Sequence, residues 1–207
     1  MKEVLFSGLV EEVVLGYSEG LYPPADPSYG GMEELAFNDG ILQAIPVPGM
    51  YGEFEPSKEK FFLISVGFDG WKTLNLVVRK EPERVGLLLG SPGVEPSYEQ
   101  RTLAANKALI ERYAIEEDGI VRAQAGDAIG AWRQLAESRV ERFEHENVYY
   151  MCAGNKPHSV ALALRAMTCP SATLYYNKPV QHSKVEVEFA KVFWSYVVRP
   201  ADGAVLI

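Results

Sequence analysis

The chain has 207 residues, 47% hydrophobic and 23% charged, with two cysteines and a net charge of −8. That size and balance fit one globular domain of ordinary size with a sizeable extension. They exclude a disulfide framework and a cysteine-based zinc site, for which two cysteines are too few. No apolar run reaches the ~18–20 residues of a membrane helix. The opening stretch MKEVLFSGLVEEVV turns acidic too early for a secretory signal, so a cytoplasmic protein without a membrane partner is expected. The charge is unevenly placed. Residues 1–60 hold three lysines, no arginine and eleven acidic residues, and the remaining residues balance. Long nucleic acid, which needs a basic surface to neutralise its phosphates, is therefore not an expected partner. A small anion held by a few local donors is compatible with this charge.

Residues 1–57 hold six of the thirteen prolines and the loop-like stretch YPPADPSYGG, with short β-prone pieces at Val4–Leu9, Val13–Tyr17 and Ile41–Val47. They predict an acidic, irregular, partly β extension that packs on the main domain or on a protein partner. From residue 58 the pattern becomes regular. FFLISVG (61–67) predicts a buried strand, and 69–80 a helix with Asp69 as a possible cap. RVGLLLG (84–90) predicts a second strand. Residues 96–114 predict one long amphipathic helix, capped by Ser97 with Gln100 as its capping-box partner. A third strand follows at 119–126 and a third helix at 127–144, capped by Asp127. The fourth strand is 147–154, the fourth helix Lys156–Thr168 and the fifth strand 171–177. The β-rich tail 185–198 alternates in the manner of an edge strand with one apolar face, which supports a homodimer. Strand–helix alternation with continuous apolar strands predicts an α/β fold: a mostly parallel sheet with helices on both faces. Residues 58–207 form that domain.

Right-handed crossovers place the C-terminal ends of parallel strands along one edge, and ligands bind in the crevice beyond them. Three of those ends carry glycine turns: VGFDGWKT (66–73), LLGSPG (88–93) and CAGNKP (152–157). The first lacks G-x-G-x-x-G spacing and is not a Walker A loop. The third is the more informative. Gly154 frees the backbone, Pro157 suits a first helical turn, and Lys156 puts an ammonium where acids are preferred. A bound anion resolves that conflict, because helix N-terminal N–H groups and the lysine then act on one phosphate. His145, His158 and His182 lie in separate segments without ligand spacing, so no metal and no cofactor are expected. Tyr175 or Tyr176 stands where it can stack an adenine.

The strand ending ISVGFDGWKTLNLV, the strand VGLLLG and the late turn G-N-K-P-H-S-V-A-L-A-L together resemble the CRISPR-associated Rossmann-fold (CARF) sensor domains. Their late turn usually reads Gly-Thr-Lys-Pro-Met; Gly154, Lys156 and Pro157 match, whereas Asn155 and His158 depart. The resemblance covers roughly residues 58–180. It implies a Rossmann-like dimer binding cyclic oligoadenylates, the second messengers of type III CRISPR antiviral signalling. It implies ligand contacts from Gly67, Phe68, Asp69, Gly70, Trp71, Gly90, Ser91, Gly154, Asn155, Pro157, His158 and Ser159. Some members also act as metal-independent ring nucleases, in which a ligand 2′-OH attacks the adjacent phosphate to give a 2′,3′-cyclic phosphate. In such an enzyme Lys156 would stabilise charge, and Ser65, Thr73 or Asn155 would orient the attacking group. A usual effector output domain is not expected from the β-rich stretch past residue 180. Three readings follow: a ring nuclease, a sensor acting through a partner protein, or an unrelated Rossmann-like enzyme acting on a phosphorylated metabolite.

Overall fold

Apolar runs spaced by amphipathic segments build the expected parallel sheet. A computed structural model describes residues 11–22, 38–39, 43–169, 171–178, 181–182, 187–201 and 204–206. The strands are β1 (Val13–Leu21), β2 (Asn38–Asp39), β3 (Gln43–Pro46), β4 (Glu59–Ser65), β5 (Arg84–Gly90) and β6 (Ile120–Ala123). They continue as β7 (Glu146–Cys152), β8 (Thr173–Lys178), β9 (Gln181–His182), β10 (Glu188–Ala201) and β11 (Ala204–Leu206). The helices are α1 (Gly70–Val78), α2 (Ser97–Ala105), α3 (Lys107–Arg112), α4 (Ala128–Glu137) and α5 (Lys156–Thr168). The main sheet has the order β3-β8-β7-β4-β5-β6. All neighbours are parallel except β3, which pairs antiparallel with β8 at the edge. Counted along the chain, the five parallel strands read 3-2-1-4-5 across the sheet, a Rossmann-like order that reverses between β4 and β7.

Both faces are covered, which is why the strand sequences are apolar throughout rather than alternating. Phe61 and Leu63 of β4 face the layer of α4 and α5, packing with Ala131, Leu135, Ala161 and Leu162. Phe62 and Ile64 face the layer of α1 and α3, packing with Leu76, Val77 and Leu109. Among the described residues no helix is long and apolar enough to cross a membrane.

Predicted helices end early where a buried polar side chain is engaged by long-range partners. The single helix expected over 96–114 is broken at Asn106, whose backbone leaves the helical region (φ −98°, ψ 10°). Its buried side-chain amide donates to the Gly67 carbonyl at 2.7 Å and to Thr102 at 2.8 Å, the kind of local bond that interrupts helices. Ser97 is not a cap. Pro96 is already helical (φ −57°, ψ −28°), Tyr98 N–H bonds the Glu95 carbonyl, and the Ser97 hydroxyl lies past the capping position. Asp69 does precede α1, but it makes no capping bond and instead pairs with Lys72 at 3.6 Å. Asp127 caps α4 as expected, accepting from Gly130 N–H. The helix expected to reach 144 stops at Glu137, because Glu141 is drawn inward. Tyr150 donates to one of its carboxylate oxygens at 2.6 Å and Arg165 to the other at 2.7 Å.

The Val4–Leu9 piece and most of YPPADPSYGG lie outside the described residues. The described parts of the extension are hydrogen-bonded into sheets. β3 extends the main sheet, and β1 pairs antiparallel with β10 over Val13–Leu21. The tail is therefore not an edge: β10 lies between β1 and β11, the acidic extension supplying its partner. Leu15, Tyr196 and Val198 turn towards the layer of α4 and α5, whereas Val14 and Phe193 are exposed. The Tyr196 hydroxyl donates to the Gly126 carbonyl and the Trp194 indole to the Glu19 carboxylate.

Gly70 lies where α1 meets the end of α2: a Cβ there would sit 1.8 Å from the Ala105 carbonyl oxygen. Gly70→Ala is accordingly expected to destabilise by about 1–3 kcal/mol, the usual cost of forced repacking, measured as a lower urea midpoint.

Candidate functional site

Two strand ends held backbone to backbone create the cleft. At the C-terminal end of β4, Ser65 is wholly buried, and its Oγ accepts from the N–H groups of Ala153 and Gly154, each at 3.2 Å. A Cβ on Gly154 would stand 2.6 Å from the Val66 carbonyl oxygen, so only glycine allows the β7 turn this close. The Gly67 carbonyl is held in turn by Asn106. On the other side of β4, the turn after Gly90 is tied to the end of β6 by Ser91 N–H donating to Ala123, and by Ala125 N–H donating to Pro92. A Cβ on Gly90 would lie 3.3 Å from the Asn155 side-chain nitrogen. The three glycine turns therefore meet, at the position where strand order reverses.

Helix α5 opens onto that meeting point. The Asn155 Oδ1 accepts from His158 N–H at 2.8 Å and caps the helix. At the first helical position the Lys156 N–H has no acceptor within the helix. The Lys156 side chain is exposed and makes no hydrogen bond or ion pair among the described residues.

The cleft above has a volume of about 930 Å³. Gly67, Phe68, Asp69, Thr73, Gly90, Gly154, Asn155, Lys156 and Ser159 line it. Thr73 is nearly closed off and donates its hydroxyl to the Asp69 carbonyl at 3.0 Å, so it locks the first turn of α1. Ser159 likewise donates to the Asn155 carbonyl. The other residues implied by the resemblance stand elsewhere. Ser65 lies beneath the floor as a support for the turn. Gly70 and Pro157 are buried in packing, and Trp71 is 61% exposed outside the cleft wall. The Ser91 hydroxyl donates to Glu99, which also accepts from Arg122; these two bonds hold the Glu99 carboxyl below its usual range. His158 is completely buried.

Sequence reasoning missed the walls. Tyr22 at the end of β1 and Tyr98 on α2 pack edge-on against Phe68, with centroids 5.5 Å apart in both pairs. Tyr22 N–H donates to the Tyr98 hydroxyl at 2.7 Å. Val187, Glu188 and Phe189 border the same cleft, as do Glu19, Tyr176 and Asn177. Of the two tyrosines expected to offer a stacking face, Tyr176 borders the cleft and is half exposed. Tyr175 turns to the other face, stacked near Phe62 and under the Lys80 ammonium. No spacing in the sequence signals these residues, because β1, β8 and β10 are brought together only by tertiary pairing.

The chemistry on offer is binding and positioning. Cys152 is buried, and burial pushes its thiol up to about 11, away from nucleophilic use. Among the described residues no three His, Cys, Asp or Glu side chains are grouped to hold a metal ion. No protein-family model matches the chain, and neither a curated protein nor a solved structure is significantly similar to it.

His158 links this floor to acid stability. Its Nε2 faces the Gln124 carbonyl at 3.3 Å, so that nitrogen carries the proton, and Nδ1 is buried without a partner. Burial lowers its pKa from 6.5 to about 4, against opposing backbone hydrogen bonds and the nearby Asp127. The folded state thus binds fewer protons than the unfolded chain in that window. Stability is full above pH 6.5 and falls as pH drops towards 4, by about 3 kcal/mol from this residue. Urea midpoints measured from pH 7 to pH 4 should show the slope, and His158→Met should flatten it.

Proposed function

We propose that this protein binds a small phosphorylated nucleotide in the cleft over the strand-order reversal and that, following the CARF resemblance, the ligand is a cyclic oligoadenylate. The observation that carries the reading is the meeting of the Gly67, Gly90 and Gly154 turns with the capped N-terminus of α5 and the ammonium of Lys156. Backbone donors and a lysine at one point suit a phosphate.

Charge narrows the choice of phosphate. Lys156 is the only cation among the described lining residues, and Glu19, Asp69 and Glu188 share the cleft with it. A di- or triphosphate would bring several charges to one ammonium and face those carboxylates. A cyclic oligonucleotide spreads its charge as one phosphodiester per nucleotide around the ring, so one of them can meet the lysine while the others stay clear of those carboxylates. This favours the cyclic oligonucleotide over a metabolite enzyme using a nucleoside triphosphate. The half-exposed Tyr176 supplies a stacking face for a base.

Turnover is a second reading, motivated by the unpaired Lys156 ammonium. The ligand's 2′-OH would attack its own phosphorus, the P–O5′ bond would break, and the leaving oxygen would take up the proton. The products are a 2′,3′-cyclic phosphate and a 5′-OH, with no metal or water consumed. Lys156 would stabilise the charge of the crowded phosphorus, and the glycine turns would fix the strand in line. A homodimer presenting two clefts to one ring, and a protein partner contacting the acidic extension, belong to the same proposal.

Calorimetry with cyclic tri-, tetra- and hexa-adenylate tests binding. One ring should bind, ATP should bind at least tenfold more weakly, and Lys156→Ala should lose about tenfold to a hundredfold in affinity, as removal of a charged hydrogen bond does, with an unchanged melting temperature. Chromatography of the same mixtures in EDTA tests turnover: linear products from the wild type and none from Lys156→Ala support it, and intact ligand in both removes it. Absence of binding by every ring overturns the proposal.

A further inference from the structure

Asn177 is a polar side chain that the fold does not use. It sits near the end of β8, is 9% exposed and borders the cleft. Among the described residues neither its Oδ1 nor its Nδ2 has a hydrogen-bond partner. Every other feature of this strand is accounted for: its main chain pairs with β3 and β7, and Leu174 and Tyr175 fill the two cores. A buried carboxamide with both ends unmade is an expensive residue to keep, since a leucine of similar size would remove two desolvated groups at once. Arg101, Asn106, Trp132 and His158 each bury one unpartnered atom as well, and Asn106 and His158 have another polar atom engaged in holding a cleft turn, whereas Asn177 has both of its polar atoms unmade. Asn177 holds nothing.

We propose that Asn177 is the specificity-determining residue of the cleft and reads the hydrogen-bonding edge of a purine base. The inference rests on the nucleotide reading above and adds the part of the ligand that the phosphate end leaves undefined. A carboxamide presents one acceptor and two donors side by side. Adenine presents the complement, an N6 amino donor beside the N7 acceptor, and asparagine pairs with that edge bidentately. In the ligand-free protein the amide is sealed from water. A side-chain rotation on binding exchanges two unmade bonds for two made ones. Asn177 and Tyr176 leave β8 on opposite sides, as successive strand residues do, so edge reading by the amide and stacking on the ring are separate contacts.

The inference has a signature that a structural role for Asn177 would not give. Asn177→Leu should raise the melting temperature of the ligand-free protein, because it replaces unmade polar contacts with an apolar group. The same variant should weaken cyclic tetra-adenylate binding by about tenfold to a hundredfold, the range for one bidentate base contact. A cyclic tetranucleotide built on purine riboside, which lacks the N6 amino group but keeps N7, should show a smaller difference between wild type and variant than cyclic tetra-adenylate does. A lower melting temperature in Asn177→Leu assigns the residue to the fold and overturns the proposal. So does equal cyclic tetra-adenylate affinity in the two proteins, which leaves the phosphate reading standing. Failure of the wild type to bind either probe overturns both.

Discussion

The close approach of two chain segments governs this molecule. At the centre of the sheet β4 and β7 run parallel, and their exits must part to opposite faces without opening a gap. The Ser65 hydroxyl accepts two N–H groups from the neighbouring turn, and Gly154 lets that turn sit against the Val66 carbonyl. A side chain at 154 would push the exits apart, and the N-terminus of α5 would no longer point over β4. The glycine turns are therefore structural before they are functional. They fix where a concavity must form, and Lys156 and Asn155 inherit their positions from it.

The main sheet was legible because both-face burial writes itself as continuous apolar runs. FFLIS, VGLLL and VYYMC can be nothing exposed, and each is followed by a glycine within two residues. The convergence of three turns on one edge followed from crossover handedness alone. Less legible was anything decided by one buried polar residue. Asn106 splits a helix that periodicity carries through, and Glu141 ends another, because Tyr150 and Arg165 wait for its carboxylate. Such partners lie many residues away and leave no local pattern. The alternating tail read as an edge strand for the same reason: its partner, Val13–Leu21, comes from the far end of the chain.

That long-range pairing also decides the shape of the site. β1 and β10 fold against the layer of α4 and α5, anchored by Tyr196 on Gly126 and by Trp194 on Glu19. They bring Tyr22 and Phe189 to the rim. The acidic extension is thus part of the cleft wall as well as a strand donor. Glu19 from it, with Asp69 and Glu188, sets the charge that a ligand must tolerate. An anion can be admitted there only where Lys156 and the α5 N-terminus outweigh the neighbouring acids, which restricts it to a small charge at one end.

Buried polar groups without partners are uncommon in folded proteins, and where they gather is informative. Among the described residues Arg101, Asn106, Trp132, His158 and Asn177 carry such atoms, and three of them, Asn106, His158 and Asn177, belong to elements that build or border the cleft. An apolar replacement at Asn177 would remove two unmade hydrogen bonds, whereas at Asn106 or His158 it would also remove a brace. A fold that keeps them has traded stability for something done at this edge of the sheet. Two of the three still serve as braces: Asn106 holds the Gly67 turn and His158 reaches the Gln124 carbonyl. The brace explains each residue in part and the leftover atom not at all. Asn177 has no brace among the described residues, which is why the proposal assigns it to what enters the cleft. In the proposal made here the phosphate end of the ligand rests on charge and the base end on an unmade pair of hydrogen bonds, and the two observations are independent.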